Sequence, residues 1–541
     1  MLRRLVYNQK RQFSRLEKIF GKESLEINRG NSAKLQNFIN GEWVDSVNYE
    51  SIPNPLTGKE MYQAPLTNTD EEVRMVLSDM SKCPKSGLHN PFKNPQRYRE
   101  WGEVMQRLAS TLQETEINDH FHRATQLVMP KSDGQITGEL VVTRRFIENF
   151  AGDNPRLAFR GFSVAGDHHG QMSNGYRFPF GPVCIISPFN FPYEIPILQT
   201  MGALMTGNKV LLKVDSRVSH SMQNFIKLMF HLGAPTDSLT MIHSDGRSAE
   251  RILVEGSQII RNTQFTGSST VAERLCEKMK GKVRIEDAGL NWKVLGPDVG
   301  DIDYVAYQCD QDSFAAGGQK CSATSVLICH ENWMKTDLLE KIKGLAEQRN
   351  LKNLTNSPVL TWSNEKIQNH VDKVLAIPGA KLLFGGEPVT EPHTIPSYYG
   401  SYKPTAVYVP FERFSDAKYT EVLTTELFGP FYLVTDYKTE QLDSVIDCLN
   451  NLDFHLTASV VSNDIRFINK ITLNTVNGVT YVGRRARTTG APQNHWFGPS
   501  GDPRGTGIGT AEGIQLTWTC HREIVHDFGE YNQECKPGQQ S

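Results

Sequence analysis

Between residues 183 and 286, short apolar, β-branched runs alternate with stretches whose apolar residues recur at helical spacing, and this alternation limits the fold more than any other feature of the chain. The runs lie at residues 183–186, 209–214, 238–242, the approach to Phe265, and 282–285; residues 222–232 are typical of the helical stretches between them. Parallel strands can be joined only by long crossovers, and those crossovers are right-handed. Repeated strand and helix units therefore build a parallel sheet covered by helices on both faces. Such sheets bind ligands at the carboxyl ends of their strands. The expected fold class is α/β, with a dinucleotide at that edge.

The flanking sequence adds a second unit. Residues 95–113 and 144–150 read as amphipathic helices, and Phe38-Ile39-Asn40-Gly41-Glu42-Trp43-Val44 as a hairpin turning at Asn-Gly. Strand runs at residues 326–329, 406–409 and 459–461, separated by helical segments, predict another α/β domain from about Leu290 to about Arg484. Residues 159–176 and the last forty or so residues fit neither sheet. The 58 Lys plus Arg against 60 Asp plus Glu leave a formal charge of −2, without the basic field that neutralises phosphates, so nucleic acid is not an expected partner. Nine cysteines with no tight repeated spacing describe neither a disulfide framework nor a zinc site, and no metal is expected. The most apolar stretch, residues 181–212, is broken by Pro182, Pro188, Pro192, Pro196 and Glu194, so no membrane span is expected.

The N-terminus reads differently from the rest. Arg3, Arg4, Lys10, Arg11, Arg15 and Lys18 stand against a single acid, Glu17, with Leu2, Leu5, Val6, Phe13 and Leu16 interleaved. This is the composition of a mitochondrial presequence, and Arg11-Gln12-Phe13-Ser14 would place the mature start at Ser14, leaving residues 1–13 as the leader. A basic, solvated N-terminal helix has the same composition.

Several local features could carry chemistry. Phe314-Ala315-Ala316-Gly317-Gly318-Gln319-Lys320-Cys321-Ser322-Ala323 is a small-residue loop ending in a cysteine just before a strand. A thiol there is a nucleophile if nearby donors or positive groups lower its pKa, or a buried structural side chain if they do not. Phe265-Thr266-Gly267-Ser268-Ser269-Thr270 is a strand-to-helix turn where a pyrophosphate could sit over Ser268, although it lacks the GxGxxG pattern and a plain Ser N-cap reads the same way. In Ser187-Pro188-Phe189-Asn190-Phe191-Pro192 the Asn190 amide could serve a developing oxyanion or merely close its own turn. Glu286 ends a strand as a candidate general base, and Glu426 lies in Thr424-Thr425-Glu426-Leu427-Phe428-Gly429-Pro430.

Taken in chain order, Asn190 loop, Thr-Gly-Ser turn, Glu286, Cys321 loop and Glu426 turn, the five motifs resemble the aldehyde dehydrogenase superfamily from about Phe38 to about Trp518; Gly-Gln-Lys-Cys-Ser-Ala and the closing Leu516-Thr517-Trp518-Thr519 resemble its pyrroline-5-carboxylate dehydrogenase branch in the plant form. The resemblance implies a Rossmann-like parallel-sheet NAD domain (residues 14–156 and 178–288), an α/β catalytic domain (289–484) and a small β oligomerisation flap with the C-terminal segment (157–177 and 485–541). It implies that Cys321 attacks the aldehyde, that the Asn190 amide and the Cys321 N–H hold the oxyanion, and that Glu286 activates the water that hydrolyses the thioester. Ile186, Ser187, Lys213, Gly267, Ser268, Glu426 and Phe428 match the family's nucleotide positions, with Lys213 and Glu426 facing the two riboses.

The substrate implied is glutamate semialdehyde, the open form of pyrroline-5-carboxylate, oxidised to glutamate in the mitochondrial matrix. Glu139 would meet its ammonium, Ser322 and the backbone of Gly490 and Ala491 its carboxylate, and Phe191 and Phe497 its aliphatic chain; a solvated Glu139 and a core Phe497 are the plainer alternatives. A homodimer or homotetramer is expected, and contact with proline dehydrogenase is left open. The chain departs from the family at Val214-Asp215-Ser216, where the ribose-reading acid is missing or displaced onto Asp215, at Asp287-Ala288-Gly289-Leu290 after the base, at Ala272, and at Ala491, where Ser is frequent. NAD is the expected cofactor. The rival readings are the same chemistry on another aldehyde such as succinic semialdehyde, a non-catalytic NAD-binding protein, and a thiol hydrolase using Cys321.

Overall fold

A computed structural model describes residues 15–528; the predicted presequence, with its cut before Ser14, and residues 529–541 of the predicted C-terminal segment lie outside the described residues. The alternating block forms a seven-stranded sheet, ordered Val283–Glu286, Asn262–Thr266, Pro182–Ser187, Lys209–Val214, Leu239–Ile242, Asn37–Ile39, Glu42–Val44. Its first five strands are parallel. Pro182–Ser187, Asn262–Thr266 and Leu239–Ile242 are buried along their whole length, as strands covered on both faces must be.

The N-terminal hairpin extends this sheet, pairing Phe38 antiparallel with Met241. Its turn puts Asn40 at φ 58° and Gly41 at φ 84°, the two left-handed residues that a twisted two-residue hairpin requires. The helix Glu194–Met205 is buried from Ile195 onward and apolar all round, because it lies between the sheet and the helices Arg97–Thr111 and Asp133–Asn149. Pro196 is tolerated there because the first turn of a helix has no acceptor for its missing N–H.

A second seven-stranded sheet runs Lys381–Phe384, Thr405–Tyr408, Phe431–Tyr437, Thr324–His330, Asn291–Leu295, Thr457–Val461, Val479–Val482, parallel except for its first strand. The two stretches that fit neither sheet meet in a third, of three antiparallel strands: Thr519–Asp527, Gln171–Pro179 and Phe162–Ala165. Leu157, predicted to begin this part, is still helical within Asn154–Ala158. Residues 485–510 do not join it either; they return to the first sheet, where the Ile285 N–H donates to the Arg504 carbonyl (3.0 Å). Among the described residues no helix is long and apolar enough to cross a membrane, and no group of His, Cys, Asp and Glu is placed to hold a metal.

Candidate active site

The cysteine loop leaves the helix Ile302–Phe314 through three consecutive left-handed residues, Ala316 (φ 57°), Gly317 (φ 64°) and Gly318 (φ 70°). Gln319 fastens it: its Nε2 donates to the Ala316 (3.2 Å) and Pro358 (2.9 Å) carbonyls, and its Oε1 accepts from the Leu360 N–H (2.8 Å). Asn291 Nδ2 donates to the carbonyls of Cys321 (2.7 Å) and Ala323 (2.8 Å), holding the exit. Cys321 is a free, half-buried thiol. At Gly318 a side chain has no room, since a Cβ would stand 2.0 Å from the Gly429 carbonyl oxygen. We expect Gly318→Ala to lower the unfolding midpoint measurably, by about 1–3 kcal/mol of backbone strain plus the clash; a thermal melt matching that of the parent would show that the two loops can separate without cost.

Glu286 ends the strand Val283–Glu286, is buried, and faces the Cys321 thiol. Burial pushes its carboxyl up to about 7, and the interaction with Cys321 opposes that rise. Burial also pushes the Cys321 thiol well above its ordinary value, with Glu286, Glu426 and Glu194 adding to the effect. The charged groups acting on the sulfur are acids, not cations. Lys320, the adjacent cation, turns away and donates to the Gln311 carbonyl (2.8 Å). A thiol in such surroundings becomes a thiolate only if a base takes its proton, and the Glu286 carboxyl is the group beside it.

Asn190 reaches the same point from the other domain, donating from Nδ2 to the Gln319 carbonyl (3.1 Å) while its buried Oδ1 has no partner among the described residues. The contact fixes which way the amide points and leaves a second N–H of Nδ2 for another acceptor. Its own carbonyl accepts from Lys131 Nζ (3.1 Å). Lys131 in turn is paired with Glu139 at 2.7 Å, both side chains being fully shielded from solvent. Glu139 Oε1 accepts the N–H groups of Tyr193 (2.8 Å) and Glu194 (3.2 Å), at the start of the helix Glu194–Met205. Glu139 is thus a buried anchor of the Asn190 loop and presents no free oxygen to a substrate ammonium. Lys131 was missed in the sequence; a lone Lys directly after the apolar Leu127-Val128-Met129-Pro130 was the only signal for it.

The residues matched to the nucleotide cluster along the carboxyl ends of the first sheet. Ile186 is in register with Lys213 on one neighbour and with Phe265 on the other, which brings Ser187, Gly267 and Ser268 to the same edge. Ser187 Oγ is buried without a partner. Ser268 caps the helix Ser269–Lys278 yet its side chain makes no capping bond. Burial pushes the Glu426 carboxyl up to about 8, against a hydrogen bond from the Gly289 backbone that lowers it, and Phe428 near it is held at φ 42°. A buried, unpartnered hydroxyl at a sheet edge beside a helix N-terminus without a side-chain cap fits a dinucleotide. Asp215 does not join them. Burial opposes its charge, but the Arg217 guanidinium grips both its oxygens (2.8 and 2.7 Å) and holds the carboxyl well below the usual range. Arg217 also lies 4.1 Å over the Phe189 ring, so the acid shifted to Asp215 is already committed to an arginine.

The predicted substrate contacts divide. Ser322 is buried with its hydroxyl unbonded, next to the nucleophile, and the half-buried Phe191 ring lies 4.3 Å from Lys131 Nζ. Phe497 is buried in the same apolar cluster that Cys321 packs against, its backbone paired with Ile508 (3.2 and 2.9 Å). At Gly490 a Cβ would stand 1.6 Å from the Tyr481 hydroxyl, so a larger residue there would displace that ring. Gly490 and Ala491 follow two threonines that Asp312 holds, accepting from the Thr488 N–H (2.9 Å) and Thr489 Oγ1 (2.7 Å) while paired with buried Lys293 (2.7 Å). Asp312 lies on the helix that leads into the cysteine loop, so one carboxylate ties that loop to the 488–491 turn. Neither Asp312 nor Lys293 carried a recognisable motif.

The aldehyde dehydrogenase family model matches residues 43–518. The chain belongs to the aldehyde dehydrogenase family. It is 51% identical over 510 residues to the mitochondrial delta-1-pyrroline-5-carboxylate dehydrogenase 12A1 of Arabidopsis thaliana, covering 94% of this chain and 91% of that one. It is 52% identical over 505 residues to a probable aldehyde dehydrogenase of Linum usitatissimum, covering 93% and 91%. The fold is similar to that of the 1-pyrroline-5-carboxylate dehydrogenase of Thermus thermophilus, with a TM-score of 0.79 at 18% identity over 95% of this chain and 96% of that one.

Cys321, Glu286 and Asn190, carried by three different elements, come together near the carboxyl ends of the first sheet.

Proposed function

We propose that this aldehyde dehydrogenase oxidises L-glutamate γ-semialdehyde, the open form of pyrroline-5-carboxylate, to L-glutamate with NAD, in the mitochondrial matrix. The convergence of Cys321, Glu286 and Asn190 carries the chemical half of this reading. The likeness to the Arabidopsis enzyme over nearly the whole chain supports the substrate and the compartment, and the basic N-terminus supports the same compartment.

Glu286 takes the Cys321 proton, and the sulfur adds to the aldehyde carbon. The second Asn190 N–H and the Cys321 N–H, which has no partner among the described residues, donate to the oxygen as it becomes an anion. Bound at the strand ends by Ile186, Ser187, Lys213, Gly267, Ser268, Glu426 and Phe428, NAD would supply the hydride acceptor. Glu286 passes the thiol proton to solvent and then takes a proton from water, the water oxygen adds to the thioester carbon, the C–S bond breaks, Glu286 returns its proton to the Cys321 sulfur, and the product acid loses its own proton to solvent and leaves as a carboxylate. Ser322 and the Gly490–Ala491 backbone would hold the substrate carboxylate, with Phe191 and Phe497 along its chain. The three-stranded sheet leaves Phe162, Val164, Met172 and Val525 exposed, which supports a homodimer or larger homo-oligomer formed through it.

The test is NADH formation by absorbance with pyrroline-5-carboxylate, set beside succinic semialdehyde and beside NADP in place of NAD. The expected result is turnover that favours pyrroline-5-carboxylate and NAD. Turnover of succinic semialdehyde alone would keep the enzyme class and discard the substrate. Equal rates with NADP would show that the Asp215–Arg217 pair opens to accept a ribose phosphate.

A further inference from the structure

The N–H groups of Gly490 and Ala491 have no partner among the described residues, and both residues are half-buried. We infer that Asp312 is a positioning residue for this pair of donors: it fixes the span between them and the Cys321 sulfur, and so sets the length of the ω-oxo acid that is oxidised. The inference rests on the substrate reading above, in which these N–H groups hold the substrate carboxylate.

Asp312 is fully shielded from solvent, and both of its oxygens are fully engaged. Oδ2 accepts from Lys293 Nζ (2.7 Å) and the Thr488 N–H (2.9 Å), and Oδ1 from Thr489 Oγ1 (2.7 Å) and Gln308 Nε2 (2.8 Å). A carboxylate so deeply buried is costly unless donors surround it, and here half of them come from the 488–491 turn. Asp312 stands two residues before the end of the helix Ile302–Phe314, directly ahead of the left-handed run that leads to Cys321. The far side of the cysteine loop is tied to the same turn, because Thr324 Oγ1 and Thr488 Oγ1 share a hydrogen bond (2.9 Å). One strand, Asn291–Leu295, backs both ties: Asn291 Nδ2 donates to the Cys321 and Ala323 carbonyls, and Lys293 Nζ to Asp312. On its other side the turn rests at Gly490 against Tyr481, whose hydroxyl shares a hydrogen bond with His495 Nε2 (2.8 Å). The entry and the exit of the cysteine loop thus both grip residues 488 and 489, and the two free N–H groups follow at once in the chain. A short span with fixed ends measures length. An aldehyde carbon at the sulfur and a carboxylate at these N–H groups can be joined by one number of methylenes, and a misplacement of about 1 Å costs about 10²-fold in rate. An uncharged aldehyde engages one end alone and is not measured.

The experiment uses the full chain and follows NADH formation with succinic, glutaric and adipic semialdehydes, a series that adds one methylene at a time, and with pentanal. Pentanal has the length of glutaric semialdehyde without its carboxylate. In wild type, glutaric semialdehyde, which matches glutamate semialdehyde in length, should exceed the other three in kcat/KM by at least about ten-fold. Thr489→Val removes one donor and leaves the buried Asp312–Lys293 pair in place. It should raise KM for glutaric semialdehyde by about ten-fold with kcat within about three-fold, narrow the preference over the shorter and longer acids, and leave pentanal as it was. Thr489→Ser keeps the hydroxyl and should restore the wild-type profile. Asp312→Asn should flatten the profile further; if that variant does not fold, the two Thr489 variants decide. Wild-type enzyme that turns over pentanal as well as glutaric semialdehyde overturns the carboxylate contacts of the substrate reading and this inference with it. A wild-type preference for the acids that is indifferent to their length, that persists unchanged in Thr489→Val, or that is lost there together with pentanal turnover, overturns this inference alone.

Discussion

Cys321→Ala is expected to remove NADH formation with every aldehyde, a loss of about four orders of magnitude or more, because no covalent intermediate can form without the sulfur. The fold should hardly notice. The side chain is half-buried and makes no bond that supports the loop, whose shape comes from Gln319 and Asn291 acting on backbone atoms. The check is therefore twofold: absorbance at saturating aldehyde, and a thermal melt in the same buffer. Residual turnover of a few per cent in a protein with an unchanged melt would mean that another group attacks the carbonyl. Cys184, Cys309 and Cys329 are poor substitutes, since they are fully buried and burial pushes their thiols up.

Glu286→Gln has a different signature. Hydrolysis of the thioester loses its base, so steady-state turnover should fall about 10²–10⁴-fold. The first half-reaction is slowed but still runs to one NADH per subunit, and faster at alkaline pH, where solvent can take the thiol proton. Rapid-mixing absorbance should show that single equivalent, and intact-protein mass spectrometry an acyl adduct on Cys321. Linear NADH production at the parental rate, without an adduct, would remove Glu286 from the mechanism. The wild-type pH profile should carry the same group. Burial sets the Glu286 carboxyl at about 7, so below that pH it is mostly protonated and cannot accept a proton, and kcat should rise as pH increases through about 7. In the variant that rise should vanish.

Much of this was legible in the sequence because it depends on short-range pattern. The five parallel strands of the first sheet announced themselves by their alternation with helices, and the Asn40-Gly41 turn by its dipeptide. Legibility failed where long-range pairing decides the outcome. The hairpin was readable from its turn, but the edge it takes on the first sheet, through Phe38 and Met241, is a partnership across two hundred residues that no local pattern encodes. Glu139 looked available to substrate because a helix acid offers no hint, in sequence, of a buried lysine eight positions earlier; Glu194 drew notice only as a break in an apolar stretch. The cysteine loop was readable as a loop, but the acids around its sulfur arrive from Glu286, Glu194 and Glu426, each on a different element.

The contact between Gly318 and Gly429 has a consequence for redesign. With one backbone lying directly on the other, the segment that carries the nucleophile and the segment that follows Glu426 and Phe428 share a single surface of shape complementarity. Grafting either segment alone from another aldehyde dehydrogenase would import a mismatched half. Exchanging them as a matched set, glycines included, is the smallest transplant that preserves the fit.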